Sequence, residues 1–213
     1  MRPNPVLQRI LDTKRFQAKD RELAVTYCIS PEKGELLYEI VREHRFTRCL
    51  EIGCLFGFSS LHLAQACAEG GGHLDIVDRP KQVVIWEGEP VDLDHAAERH
   101  IEEAGYGDCV TFYREYSHAA LAHLLTLGKQ YDFVFIDADH RFISVLLDII
   151  GVDRLLAVGG SIALDDIGPD MAYKEGNDGS ASRALGYLFA TSRYRVELKQ
   201  STFCLAWKLS EPC

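Results

Sequence analysis

The sequence lacks a membrane-spanning run. Its most apolar stretches, such as 145–150, fall far short of the roughly 20 residues a bilayer requires. The segment Met1-Arg2-Pro3-Asn4-Pro5 leads into mixed polar residues without a signal-peptide core. A soluble cytoplasmic protein with no membrane partner is therefore expected. No Lys/Arg-rich run occurs, and 23 basic against 32 acidic residues leave a net charge of −9. That balance weighs against a nucleic-acid partner, whose phosphates it would repel. Cysteines number seven, an odd count with no C-x-x-C pair, which fits neither a zinc site nor a disulfide framework. Reduced thiols, several within apolar strand patterns, are the simplest reading. Internal repeats and low-complexity segments are also missing. With 47% hydrophobic and 26% charged residues, 1–213 is expected to form one globular domain.

What is present from Thr47 onward is alternation. Strand patterns occur at Arg48–Gly53, His73–Asp78, Cys109–Tyr113, Tyr131–Asp137 and Ser161–Leu164, the last after a Gly159-Gly160 turn. Helical patterns separate them: Ser59–Ala68, Asp94–Ala104, a helix capped by Ser117 and running to Leu127, and Arg141–Leu156, expected to break near Gly151. Ser180–Ala190 reads as another helix. Tyr194–Leu198 and Thr202–Leu209 follow as strands too closely linked for a parallel crossover, so they must pair as a hairpin. The expected fold is α/β: a parallel sheet covered on both faces, binding ligands beyond the carboxyl ends of its strands. Residues 3–18 and 31–44 read as two helices, an N-terminal helical cap (1–46) on the core at 47–213.

Chemistry is therefore sought where strands end. Glu51-Ile52-Gly53-Cys54-Leu55-Phe56-Gly57-Phe58-Ser59-Ser60 is a strand, a glycine turn and a helix start. Gly53 and Gly57 can admit a ligand close to the backbone. Their spacing is not the G-x-G-x-x-G of a dinucleotide site, which disfavours a nicotinamide oxidoreductase, and the turn has no P-loop lysine. Asp78 ends the second strand, where an acid can accept hydrogen bonds from both ribose hydroxyls of a nucleoside. Asp137-Ala138-Asp139-His140 and Asp165-Asp166 end two more. Carboxylates converging on one rim repel one another unless a hard cation such as Mg²⁺ joins them; the alternative is that Asp139 or Asp166 merely caps a helix or turn, but acids at both strand ends favour the metal. His140 is the candidate general base on that rim.

These residues, with Ile29-Ser30-Pro31-Glu32-Lys33-Gly34, resemble class I S-adenosylmethionine-dependent methyltransferases, and more narrowly the metal-dependent O-methyltransferases. The resemblance covers roughly 29–209, with the motifs in order. It implies a Rossmann-like three-layer sandwich with a seven-strand, mostly parallel sheet whose last strand is antiparallel. It implies Glu51, Gly53, Gly57 and Ser59 on the methionine and ribose side of S-adenosyl-L-methionine, Asp78 on the ribose, Tyr116 and Ser117 beside the adenine, and Asp137 at the cofactor and the metal. Asp137, Asp165 and Asp166 would hold Mg²⁺. Two departures point away from the catechol branch, which usually has Lys at His140 and Asn at Asp166. The pair present is more similar to the branch that methylates sugar hydroxyls of natural products. An apparent insertion, 79–93, holds Trp86 and Pro90 and could cover either ligand. Ile167–Gly179, with Tyr173, Lys174, Glu175 and Asn177, is expected to shape the acceptor pocket. The expected activity is methyl transfer to a hydroxyl oxygen of a small molecule, with a homodimer possible through the N-terminal helices. The alternatives are metal-independent N- or C-methylation on the same fold and a catalytically idle module.

Overall fold

Tyr131-Asp-Phe-Val-Phe-Ile136 shows why the centre of this molecule is a buried parallel sheet: its side chains pack alternately into two separate cores. Phe133 and Phe135 enter one and Val134 and Ile136 the other, each at most 4% exposed. A strand apolar on both faces must be covered on both. The computed structural model describes residues 3–19, 21–26, 28–80, 83–167, 180–200 and 202–211. Their elements, in chain order, are α1 (Pro5–Thr13), β1 (Arg15–Gln17), β2 (Glu22–Ala24), α2 (Pro31–Glu43), β3 (Arg48–Ile52), α3 (Phe58–Gly70), β4 (His73–Asp78), β5 (Val83–Trp86), β6 (Glu89–Asp92), α4 (Ala96–Glu103), β7 (Val110–Arg114), α5 (Ser117–Thr126), β8 (Tyr131–Ile136), α6 (Phe142–Leu155), β9 (Leu156–Leu164), α7 (Ser180–Ala190), β10 (Tyr194–Gln200) and β11 (Phe203–Lys208).

Seven strands form one sheet in the order β10-β11-β9-β8-β3-β4-β7. The ladders β7–β4–β3–β8–β9 are parallel, while β11 runs antiparallel between β9 and β10. The expected three-layer α/β fold and antiparallel last strand are thus present. The chain winds outward through β3, β4 and β7, then returns to lay β8 on the other side of β3. That reversal opens a crevice between the carboxyl ends of β3 and β8, where such sheets receive ligands. Among the described residues no helix is long and apolar enough to cross a membrane.

Several local expectations are corrected. The helix expected over 3–18 stops at Thr13, because Lys14 turns left-handed (φ 55°) and its N–H closes on Ile10. Strands β1 and β2 then pair antiparallel, with Phe16 inward between exposed Arg15 and Gln17. Two-residue alternation over so short a span is masked by the helix beside it. Ser117 is the first helical residue and not a side-chain cap; Tyr116 holds the cap position. Helix α6 runs unbroken through Gly151, whose missing side chain makes room for Leu121 of α5. Gly159 and Gly160 lie inside β9, where its pairing with β8 shifts register. Within the 79–93 insertion, β5 and β6 pair as a hairpin over 83–92. Its Trp86, 3% exposed, packs edge-on against Phe16 and Phe56, and Phe16 stacks on Phe56 at 3.9 Å. The hairpin therefore backs the glycine turn that Phe56 belongs to. Of the expected acceptor-pocket segment only Ile167 is described; Tyr173, Lys174, Glu175 and Asn177 lie outside the described residues.

Candidate active site

The strand ends are stitched into a staircase. Gly53 N–H donates to Val77 O at 2.9 Å, Asp137 N–H to Ile52 O at 3.0 Å and Asp165 N–H to Ile136 O at 3.4 Å. Each motif found in the sequence is thereby fixed to the strand beside it, and four separate segments share one rim.

On the β3–β4–β7 side lie the residues assigned to the cofactor other than Asp137, which follows β8. Gly53 has φ 89°, and an added Cβ would sit 2.3 Å from Asp137 O and 2.7 Å from Ala138 Cα. Its glycine requirement thus comes first from the neighbouring strand end rather than from a ligand. Gly57 likewise lies against Ala97 of α4. Glu51 is fully buried and accepts hydrogen bonds from both the Ser59 and Ser60 hydroxyls. Burial pushes its carboxyl up to about 8. Glu51 and Ser59 therefore brace the turn and the start of α3 from within.

Asp78 is placed as expected at the end of β4. Its carboxylate accepts from the Cys54 thiol at 3.1 Å and the Arg79 N–H at 2.8 Å and faces Arg114 at 3.3 Å. Arg114, the last residue of β7, is held by Glu98 of α4 and lies over the Phe112 ring at 5.1 Å. Sequence reading missed Arg114 because nothing along the chain links it to Asp78. Tyr116 is 60% exposed and stacks with His118, so an aromatic face is open to solvent at the β7 end. Asp148 of α6 is a buried carboxylate that burial pushes up to about 6, with Ser117 pulling the other way.

On the β8–β9 side the rim holds Asp137, His140, Asp165 and Asp166 around a small pocket. His140 Nδ1 lies 3.0 Å from Asp166 Oδ2 and Nε2 lies 3.7 Å from Asp137 Oδ1. Asp137 first, then Asp166, hold the imidazole pKa above its ordinary value, against partial burial. One ligand-capable atom from each of Asp137, His140 and Asp166 falls within 4.8 Å of the others, a donor set suited to a divalent cation. Asp165, assigned with Asp137 and Asp166 to the metal, is not in that group. It is ion-paired with Lys33, and burial pushes its carboxyl up. Lys33 lies in the Ile29–Gly34 motif but was given no role in the sequence reading; its partner is 132 residues away. Asp139, the other acid after β8, braces the start of α6 by accepting from Arg141 and Ser144.

The model of a methyltransferase-domain family matches residues 50–167. Among curated protein sequences nothing matches. Solved structures that superpose on the chain include cofactor-bound Rv0187 from MTB, 22% identical with a TM-score of 0.75, over 98% of this chain and 91% of that one. The O-methyltransferase from Bacillus cereus in complex with SAH is 21% identical with a TM-score of 0.71, over 95% and 89%. The O-methyltransferase TomG from Streptomyces achromogenes, involved in tomaymycin synthesis and solved with SAM, is 20% identical with a TM-score of 0.75, over 98% and 92%.

Proposed function

Because the chain belongs to this methyltransferase-domain family, we propose that it moves the methyl group of S-adenosyl-L-methionine to a hydroxyl oxygen of a small molecule, with His140 as the general base. The observation that carries the reading is the His140–Asp166 pair on the rim beside Gly53 and Asp137. The cofactor would lie over the Gly53 turn, with its ribose on Asp78 and its adenine near Tyr116 and Ser117. It supplies an electrophilic methyl. Asp78 suits a diol because Arg114 and Cys54 orient it from behind. On the acceptor side, the closer carboxylate, Asp166 at 3.0 Å from Nδ1, favours the tautomer with a proton there, so that Nε2, 3.7 Å from Asp137 Oδ1, would accept one from a hydroxyl held beside Asp137. Mg²⁺ would be held by Asp137 and Asp166, where it supplies positive charge that lowers the pKa of a bound hydroxyl. His140 and Asp166, standing where the catechol branch has Lys and Asn, favour a sugar hydroxyl of a natural product as acceptor. The structures solved with SAM and SAH support the cofactor, and TomG's role in tomaymycin synthesis accords with a natural-product acceptor.

The test is transfer of labelled methyl from S-adenosylmethionine to a panel of sugar, phenol and catechol acceptors. His140→Ala should lower turnover by about 10²–10⁴, the range of general-base catalysis, with the affinity for S-adenosylhomocysteine retained. An unchanged turnover would assign proton removal elsewhere. Full activity in excess EDTA would remove Mg²⁺ from the reading and favour a metal-independent enzyme.

A further inference from the structure

Lys33 reaches the acceptor rim from outside the sheet. Ser30 caps α2 by accepting the Lys33 N–H at 3.3 Å, and Pro31 opens the helix. Gly34 lies so close to α3 that an added Cβ would come within 2.5 Å of the His62 ring. These contacts seat the first turn of α2 and send the Lys33 side chain across the ends of β9 and β11. There its ammonium pairs with Asp165 and donates to Thr202 Oγ1 at 2.8 Å, with the two charged side chains only 13% and 5% exposed. The same Asp165 oxygen accepts the Asp166 N–H at 2.7 Å. Asp166 has φ 56°, a left-handed conformation in which non-glycine residues are uncommon and Asp is among the better tolerated. From that conformation its carboxylate meets His140 Nδ1.

We propose that Lys33 is a positioning residue for the proton-accepting histidine: by neutralising and anchoring Asp165, it holds Asp166 in the left-handed turn that aims its carboxylate at His140. The proposal rests on the reading of His140 as the base. Its physical basis is that Asp165 has little access to water, so without an ammonium beside it its charge would face Asp137 and Asp166 across the rim uncompensated. The carboxylate would then turn outward toward water, and the Asp166 N–H would lose its acceptor. Lys33 also commits Asp165 to an internal cation, which accounts for its absence from the Asp137, His140 and Asp166 group.

The experiment uses the full chain, ¹⁵N-labelled and freed of metal with EDTA. Imidazole nitrogens are read by long-range proton–nitrogen correlation at a pH where the rings are neutral, and His140 is assigned by loss of its signals in His140→Gln. The wild-type ring should be protonated at Nδ1. In Lys33→Met the signals should move toward an averaged tautomer, and in Lys33→Arg they should stay near wild type. Methyl transfer by Lys33→Met should fall about 10- to 100-fold, as expected for a misplaced catalytic group. Affinity for S-adenosylhomocysteine should not change. Should Lys33→Met fail to fold, the double variant Lys33→Met/Asp165→Asn leaves no unpaired buried charge while keeping an acceptor for the Asp166 N–H. It should fold and return the Nδ1 signature. An unchanged His140 tautomer in Lys33→Met, or a folded double variant lacking the Nδ1 form, would overturn the proposal alone. A wild-type ring protonated at Nε2 would overturn the His140 reading and this proposal with it. Failure of the wild type to bind S-adenosylhomocysteine would count against the methyltransferase reading and leave the tautomer result standing.

Discussion

Glu51 is an acid without access to water, and that makes its ionisation a stability question. Burial lifts its carboxyl from 4.5 to about 8, while the Ser59 and Ser60 hydroxyls pull the other way. Between those values the unfolded chain releases the proton and the folded chain keeps it. Unfolding therefore releases a proton, and stability falls as pH rises through this window, levelling off above about 8. The greatest slope a single such group can impose is about 1.4 kcal/mol per pH unit. Urea unfolding of the wild type and Glu51→Gln near both ends of the window should show a steeper loss in the wild type. Contributions from all other groups cancel in the difference. Parallel slopes would mean that Glu51 is ionised in the folded state.

At the scale of elements, the turn between β3 and α3 is held more by neighbouring backbone than by its own hydrogen bonds. Gly53→Ala combines a left-handed backbone with a Cβ 2.3 Å from Asp137 O, which no side-chain rotation relieves. The expected cost is above about 3 kcal/mol, beyond the common range for single substitutions. The relief available is a separation of the β3 and β8 ends, so affinity for S-adenosylhomocysteine should fall with stability. Calorimetric binding and thermal unfolding on the same preparation check both. A variant with wild-type Tm would show that the two strand ends are freer to part than the staircase of hydrogen bonds suggests. The hairpins β1–β2 and β5–β6 belong to the same scale. Phe16 and Trp86 meet at Phe56, so two segments without a strand in the main sheet support the turn from outside.

In the whole molecule, one sheet carries two cores, with α2, α3 and α4 on one face and α5, α6 and α7 on the other. Neither core persists without the sheet, so one cooperative unfolding transition is expected. S-adenosylhomocysteine at 100 times its Kd should add about 2.7 kcal/mol, which in a chain of this size raises Tm by about 5–10 °C. Asp78→Ala should lower affinity and, at the same ligand concentration, shrink the shift. A wild-type Tm indifferent to the ligand would remove the cofactor reading at Asp78.

Short apolar runs separated by helical periodicity were enough to write down β3, β4, β7, β8 and the closing hairpin, because each side chain's burial is imposed by its own strand and helix. The order of glycine turn, Asp78, Asp137 and Asp165-Asp166 at strand ends was equally legible, since a parallel α/β chain brings every carboxyl end to one side. Tertiary structure alone decided which of those ends face one another, because strand order is a property of the assembled sheet. It also decided that Asp165 answers to Lys33, that Arg114 stands behind Asp78 and that Asp166 turns left-handed toward His140. A charge has no period along a sequence. Its partner is chosen by distance in space, and for Asp165 that partner lies 132 residues back along the chain.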